Sequence, residues 1–108
     1  MWVRMGTFRV KEGMVDTLVA TYNQRAVPKV RGVPGNLGCL LLEPSASDEA
    51  FVVMTLWKDK TAAEAYESSG EAAEVVALVR DCFAGRPNLR SYASTSYAGF
   101  PPYVAAAH

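Results

Sequence analysis

Histidine is almost absent from this sequence of 108 residues, which contains one, at position 108. Without an internal histidine the chain offers no Ser-His or Cys-His nucleophilic pair and no histidine-based zinc, iron or haem site. The two cysteines, Cys39 and Cys82, lie in apolar surroundings and lack C-x-x-C spacing. A Gly-rich phosphate loop of the G-x-G-x-x-G type is also missing. We therefore expect two buried, reduced thiols in a cytoplasmic protein, with no cofactor: no bound metal, flavin or haem.

An excess of either charge is missing too, because 11 Lys and Arg residues balance 11 Asp and Glu residues. A nucleic-acid partner is not expected, since no basic surplus exists to neutralise phosphates. No apolar run approaches the roughly 20 residues that a membrane span needs, and residues 1–10 do not form a signal peptide pattern. What is present, 50% hydrophobic and 20% charged residues, is typical of one soluble globular domain.

The most informative segment is residues 51–69, which read FVVMTLWKDKTAAEAYESS. β-Branched and aromatic residues predict a strand over Phe51–Trp57, and the charged residues 58–60 predict a turn. Thr61 is predicted to cap a short helix that ends at Ser68, with Glu64 completing a capping box.

Periodicity and breaker residues predict the other elements. The predicted strands span residues 3–10, 37–42 and 89–97, and the other predicted helices span residues 14–30 and 71–83. Pro28 is predicted to end or kink the first helix. The resulting order, β-α-β-β-α-α-β, predicts an α+β, ferredoxin-like fold: a four-stranded antiparallel sheet with helices on one face.

Both faces of the predicted sheet are too apolar to contact water. One face carries Val3, Met5, Thr7, Val52, Met54 and Leu56, and the other carries Gly6, Phe8, Phe51, Val53 and Trp57. Helices cover only one of them, and a symmetric second copy is the simplest cover for the other. We therefore predict a homodimer.

The strand, Trp, charged turn, helix and Tyr of residues 51–69 resemble the antibiotic biosynthesis monooxygenase (ABM) family of small dimeric α+β barrels. The resemblance covers about residues 2–97, so we interpret residues 1–97 as an ABM-like domain and residues 98–108 as a C-terminal extension. It implies homodimers whose sheets pack face to face, with an apolar pocket between each sheet and its helices. Some family members oxidise anthrone or quinol substrates with O₂ and without metal or flavin, others degrade haem, and many have no known activity.

The resemblance can be followed residue by residue. The haem-degrading branch uses an Asn, a Trp and a His at the places of Thr7, Tyr66 and Val76, so haem degradation is not expected here. The quinol and anthrone branch has a Trp at the end of strand three, which Trp57 matches, and a His or aromatic residue at the place of Tyr66. Val53 stands where some anthrone oxidisers carry an Asn.

Cofactor-free oxygenation needs a site that forms and stabilises an electron-rich substrate anion and excludes water. The candidate catalytic residues are Tyr66 as a donor, Trp57 as a pocket wall and Arg80 as a cation; the candidate substrate-binding residues are Tyr22, Asn36, Thr7 and Thr55. Each also has a structural interpretation: core packing for the aromatic residues, a turn for Asn36, a solvated helix face for Arg80 and strand formation for the threonines.

We predict a cofactor-independent monooxygenase that acts on an aromatic, phenolic or quinol-type small molecule. Two alternatives stay open: a non-catalytic small-molecule-binding or accessory dimer, and a polyketide-type cyclase or isomerase that uses the same pocket for proton transfer. The aromatic stretch of residues 97–103 is predicted to cross to the partner subunit or to cover the pocket.

Overall fold

The computed structural model describes residues 1–98, which form one sheet and a layer of helices. The strands are β1 (Trp2–Phe8), β2 (Asn36–Leu42), β3 (Phe51–Trp57) and β4 (Asn88–Ala93). The α-helices are α1 (Val15–Thr21), α2 (Val27–Arg31), α3 (Lys60–Ser68) and α4 (Glu71–Val79). A π-helical turn, Tyr22–Ala26, joins α1 to α2, and a 3-10 turn, Arg80–Cys82, follows α4.

The four strands form an antiparallel sheet in the order β2-β3-β1-β4, which is the ferredoxin-like arrangement. The helices pack on one face, so the predicted α+β fold is confirmed. We call this helix-covered side the inner face and the other side the open face. Among residues 1–98, no helix has the length and apolar character required to cross a bilayer.

Strand alternation gives the two faces different residues, as predicted. The inner face includes Arg4, Gly6, Phe8, Val53, Thr55 and Trp57, and the core lies between it and the helices. On the open face, Leu40, Met54 and Met5 stand in one row across three strands. Val3 and Leu56 of this face are already buried in the single subunit, whereas Leu40 and Leu42 remain 41% and 44% exposed.

The first helical segment continues through Pro28, which the sequence analysis predicted would end or kink it. Its buried residues are Leu18, Tyr22, Ala26 and Val30, at a constant spacing of four. A regular α-helix has 3.6 residues per turn, so such a stripe would drift by about 40° at each repeat. The wider π turn absorbs this drift, and Pro28 then falls in the first turn of α2, where a missing N–H is tolerated.

The start of α3 corrects a second prediction. Asp59 is the N-cap in extended conformation, and its Oδ1 accepts a hydrogen bond from the Ala62 N–H at 2.8 Å. The helix begins at Lys60, so Thr61 lies inside its first turn and the predicted Thr61–Glu64 capping box is wrong. Both residue types cap helices well, and the extended backbone at Asp59 decides between them.

Three predicted ends differ from the structure, and two of them differ because residues 9–11 pair with residues 82–84. The Lys11 N–H donates to the Cys82 carbonyl and the Ala84 N–H donates to the Arg9 carbonyl, both at 2.8 Å, and Val10 forms an isolated bridge with Phe83. Strand β1 therefore ends at Phe8, and α4 ends at Val79 rather than at residue 83. Strand β4 ends at Ala93. The predicted aromatic tail falls mostly outside the described residues.

Candidate functional site

A cleft separates the inner face from α4 and the π turn. It has two lobes of about 70 and 60 Å³ that share six lining residues: Gly6, Tyr22, Val53, Val75, Val76 and Leu89. Gly6 keeps the floor open, since a Cβ there would lie 3.2 Å from side-chain atoms of both Val53 and Leu89. Leu89 is 56% exposed and stands at the rim. Sites for drug-sized ligands have volumes of roughly 300–1,000 Å³, larger than either lobe. A ligand of that size must therefore move the Leu89 side chain at the rim.

The lobes differ in chemistry. The polar lobe adds Arg4, Thr55 and Tyr66 to the shared lining. The apolar lobe adds only hydrocarbon: Phe8, Leu18, Val79, Phe83 and Pro87. Within it the Phe8 and Phe83 rings pack with their centroids 4.3 Å apart. The cleft can therefore take an apolar ring system at one end and a polar substituent at the other.

Trp57 supports the polar lobe from behind. Its indole is fully buried, and its ring centroid lies 4.8 Å from that of Tyr66, with the planes tilted by 32°. The indole Nε1–H donates to Thr55 Oγ1 at 2.9 Å. The pair forms because β3 ends at Trp57, Asp59 starts α3 directly afterwards, and Tyr66 lies on the buried side of that short helix. Trp57 does not itself line the cleft.

Arg4 supplies a cation to the polar lobe. Its guanidinium carbon lies 5.6 Å from the centroid of the Tyr66 ring, and its Nε donates to the Glu67 carboxylate. The Arg4 side chain is 16% exposed, whereas that of Glu67 is 49% exposed. The sequence analysis missed Arg4. The signal was available, because Arg4 alternates in phase with Gly6 and Phe8 on β1 and so had to face the helices.

Both phenols of the polar lobe stay protonated well above neutral pH. Burial raises the pKa of Tyr66 to about 12; the Arg4 charge opposes this shift, while Glu71 and Cys39 add to it. Burial raises the pKa of Tyr22 still further, and Cys39 and Tyr66 nearby act in the same direction. At neutral pH these groups are hydrogen-bond donors, not bases.

Within residues 1–98 the buried Tyr22 hydroxyl has no nitrogen or oxygen partner, and the group that hydrogen-bonds to it, weakly, is the Cys39 thiol. Tyr22 lines both lobes and therefore stands at their junction.

The other predicted site residues are distributed unevenly. Tyr66, Tyr22 and Thr55 line the cleft together. Thr7 pairs with Val52 and lies on the open face. Asn36 holds the start of β2: its Oδ1 accepts from Arg31 at 2.7 Å, and its Nδ2 donates to the Leu56 carbonyl at 3.2 Å.

Arg80 does not reach the cleft either. It is exposed and begins the 3-10 turn, because α4 ends one residue before it. Across residues 1–98, no group of three or more His, Cys, Asp or Glu side chains is placed to hold a metal ion.

Residues 1–78 match the family model described as antibiotic biosynthesis monooxygenase. The chain belongs to this family. No curated protein matches the chain. Solved structures of ABM proteins share its fold. One, described as an antibiotic biosynthesis monooxygenase from Nitrosomonas europaea, is 19% identical and has a TM-score of 0.72, with 89% of this chain and 100% of that chain covered.

Two further solved structures share this fold. A variant of SnoaB, a cofactor-independent oxygenase from Streptomyces nogalater, is 14% identical with a TM-score of 0.73, covering 89% of this chain and 94% of that one. A variant of MhuD, solved with two manganese protoporphyrin IX molecules per active site, is 24% identical with a TM-score of 0.75, covering 93% and 100%. At such identities the likeness shows a shared fold, and function has to be argued from the cleft.

Proposed function

We propose that this ABM protein is a cofactor-independent monooxygenase whose substrate is a phenolic or quinol-type aromatic bound as an anion in the cleft. The observation that carries the proposal is the polar lobe, where Arg4 and the neutral phenols of Tyr66 and Tyr22 line one end of an otherwise apolar cleft. The apolar lobe would hold the rings, and the polar lobe would hold the oxygen that carries the charge.

The chemistry asks little of the protein beyond charge stabilisation. A substrate anion transfers one electron to O₂, and the resulting substrate radical and superoxide combine to form a carbon–oxygen bond. The peroxide then loses water, so that a ring CH₂ and O₂ become C=O and H₂O. Arg4 and the hydroxyl donors stabilise the negative charge at each stage, and the buried cleft keeps the interactions strong.

The substrate must be acidic by its own chemistry. Among residues 1–98, the lining of the two lobes contains no carboxylate and no histidine, and Glu67 is paired with Arg4. Arg4 favours the charged form of an acid bound beside it, but at Tyr66 burial outweighs Arg4, so the substrate itself must be more acidic than an ordinary phenol. The proton released by the substrate would pass to water at the rim of the cleft.

The same lack of a resident base favours a second candidate function, a small-molecule-binding dimer without turnover. It argues against the cyclase or isomerase alternative, which needs a group that removes and returns a proton. Binding without O₂ consumption would identify the binder.

We also propose that the protein works as a homodimer joined through the open face. The support is the apolar row of Leu40, Met54 and Met5, whose β2 side remains exposed in the single subunit. An apolar sheet face of this kind is typically covered by another layer.

The test is O₂ uptake with a panel of anthrones and hydroquinones. We expect Arg4→Met to lower kcat/KM by about 100-fold and Tyr66→Phe by roughly 10–1000-fold, the range for losing one group that stabilises a developing anion. Arg4→Lys should recover part of the loss because it restores the charge. Arg86→Met, which removes an exposed cation far along the chain, is the matched control.

Two results would contradict the assignment. Loss of turnover in Arg80→Met with none in Arg4→Met would move the cation role to the 3-10 turn. Full turnover in both Arg4→Met and Tyr66→Phe would place the chemistry outside the polar lobe.

A further inference from the structure

We infer that Tyr22 selects the ligand: its hydroxyl donates a hydrogen bond to an acceptor oxygen in the middle of the bound aromatic molecule. The inference rests on the proposed function to the extent that it needs an aromatic ligand in the cleft. It adds a requirement on that ligand, which must carry two oxygen functions, one ionised near Arg4 and one accepting from Tyr22.

The first support is the hydroxyl itself. Tyr22 is 5% exposed, and its hydroxyl has no nitrogen or oxygen partner within residues 1–98, only a weak hydrogen bond with the Cys39 thiol. Buried polar groups are nearly always hydrogen-bonded, because an unpaired one retains its full desolvation cost. A phenylalanine would fill the same core position without that cost. A ligand oxygen would supply the strong acceptor that the described residues do not.

The second support is the backbone that carries Tyr22. Tyr22 is the first residue of the π turn, which is an uncommon structure found frequently at functional sites. The turn keeps Tyr22 on the buried stripe between Leu18 and Ala26, and the side chain reaches the junction of the two lobes. A ligand that fills both lobes must pass the Tyr22 side chain.

The third support is the chemistry around the hydroxyl. Its polar neighbours are the Cys39 thiol, whose weak hydrogen bond with the hydroxyl helps to raise the pKa of Tyr22, and the Tyr66 phenol. A thiol is a weak acceptor, and the Tyr66 hydroxyl, which can both donate and accept, does not accept from Tyr22. The Tyr22 hydroxyl therefore lacks a strong acceptor among residues 1–98. A carbonyl, phenolate or ether oxygen on the ligand would complement it, whereas a bare hydrocarbon at this position would leave it unpaired.

The test compares two soluble probes with the full-length protein. Anthraquinone-2-sulfonate carries an anion and two carbonyls on its middle ring, and anthracene-2-sulfonate carries the same anion without the carbonyls. We expect the wild type to bind the quinone about 10-fold more tightly, as one hydrogen bond to a buried donor allows. Calorimetry would give both affinities.

Tyr22→Phe should abolish this preference by weakening the quinone about 10-fold and leaving the hydrocarbon unchanged. The ligand-free variant should melt at the same temperature as the wild type or higher, by roughly 4 °C, because only a weak hydrogen bond with the Cys39 thiol is lost. Tyr92→Phe, which removes a hydroxyl from the open face, should leave the probe preference unchanged.

The outcomes separate this inference from the proposed function. If Tyr22→Phe lowers the melting temperature and keeps the preference, the hydroxyl has a structural partner such as a bound water, and the inference is wrong. If neither probe binds, the cleft is not an aromatic site and the inference fails with it. If the preference and its loss are observed but no substrate consumes O₂, the inference stands and the monooxygenase proposal fails.

Discussion

The two faces of the sheet are covered to different extents. On the inner face, Arg4 and Thr55 lie beneath the helices, where burial makes each unpaired polar group costly. On the open face, the row of Leu40, Met54 and Met5 is apolar although no helix covers it, and Arg90 ends this row on the edge strand β4.

The difference separates two roles. In the proposals made above, the buried polar groups serve a ligand and the uncovered apolar groups serve a second subunit. Each face then predicts a different class of mutant effect: loss of assembly from one and loss of binding or internal stability from the other. Three experiments test the two faces, ordered from the largest expected effect to the smallest.

A charge on the open face should have the largest effect. We expect Leu40→Asp to raise the dissociation constant of the dimer by at least about 100-fold, because two-fold symmetry would bury two unpaired carboxylates. Light scattering would show the mass falling to that of the 11.7 kDa subunit. Ser47→Asp, in the exposed β2–β3 turn, is the control. A wild-type protein that is monomeric at micromolar concentration would contradict the proposed dimer.

Removing one buried hydroxyl from the inner face should cost less. Thr55→Val leaves the Trp57 indole N–H buried without its acceptor, so we expect the free energy of unfolding to fall by about 1–3 kcal/mol. Urea unfolding measures it, and Thr55→Ser, which keeps the oxygen, should retain most of the stability. A Thr55→Val protein as stable as the wild type would mean that the indole N–H finds another acceptor.

Alkaline pH should reveal the buried phenols with the smallest effect. A free tyrosine has a pKa of about 10, whereas that of Tyr66 is about 12, so between these values the unfolded state loses its proton first. Stability is therefore complete below about pH 10 and should fall on the order of 1 kcal/mol per pH unit above it for this residue. Urea unfolding at pH 9, 10 and 11 tests this. Tyr66→Phe should flatten the slope, and an unchanged slope in that variant would assign it to other groups.

Local signals predicted the sheet and the β3–α3 segment well. The strand, turn and helix of residues 51–68 succeed one another without a long connection, so each boundary is set by its neighbours in the sequence. Ends that depend on distant partners were less predictable. Val10 and Phe83 each sit inside a plausible local pattern, and only their pairing with one another shows why β1 and α4 end early.

The sequence predicted site residues where periodicity showed which face of a strand or helix they occupy. Tyr22 and Thr55 reach the cleft through helical and strand periodicity, and Arg4 was available by the same alternation. Arg80 was placed by assuming that α4 continues to residue 83, whereas α4 ends at Val79. Whether the Tyr22 hydroxyl finds a strong acceptor depends on how the surrounding elements pack, and no sequence pattern indicates it.

The π turn also carries a consequence for changes in chain length. It contains one residue more than an α-helix would need over the same rise, and Asn23 within it is exposed. Deleting Asn23 would convert the segment into continuous α-helix, a change that most helices could not accept without shifting every following residue. Here the buried stripe would close to spacings of four, three and four, which a regular α-helix keeps on one face, so Tyr22 would stay buried. The chain thus contains a place where the loss of a single codon is expected to preserve the fold.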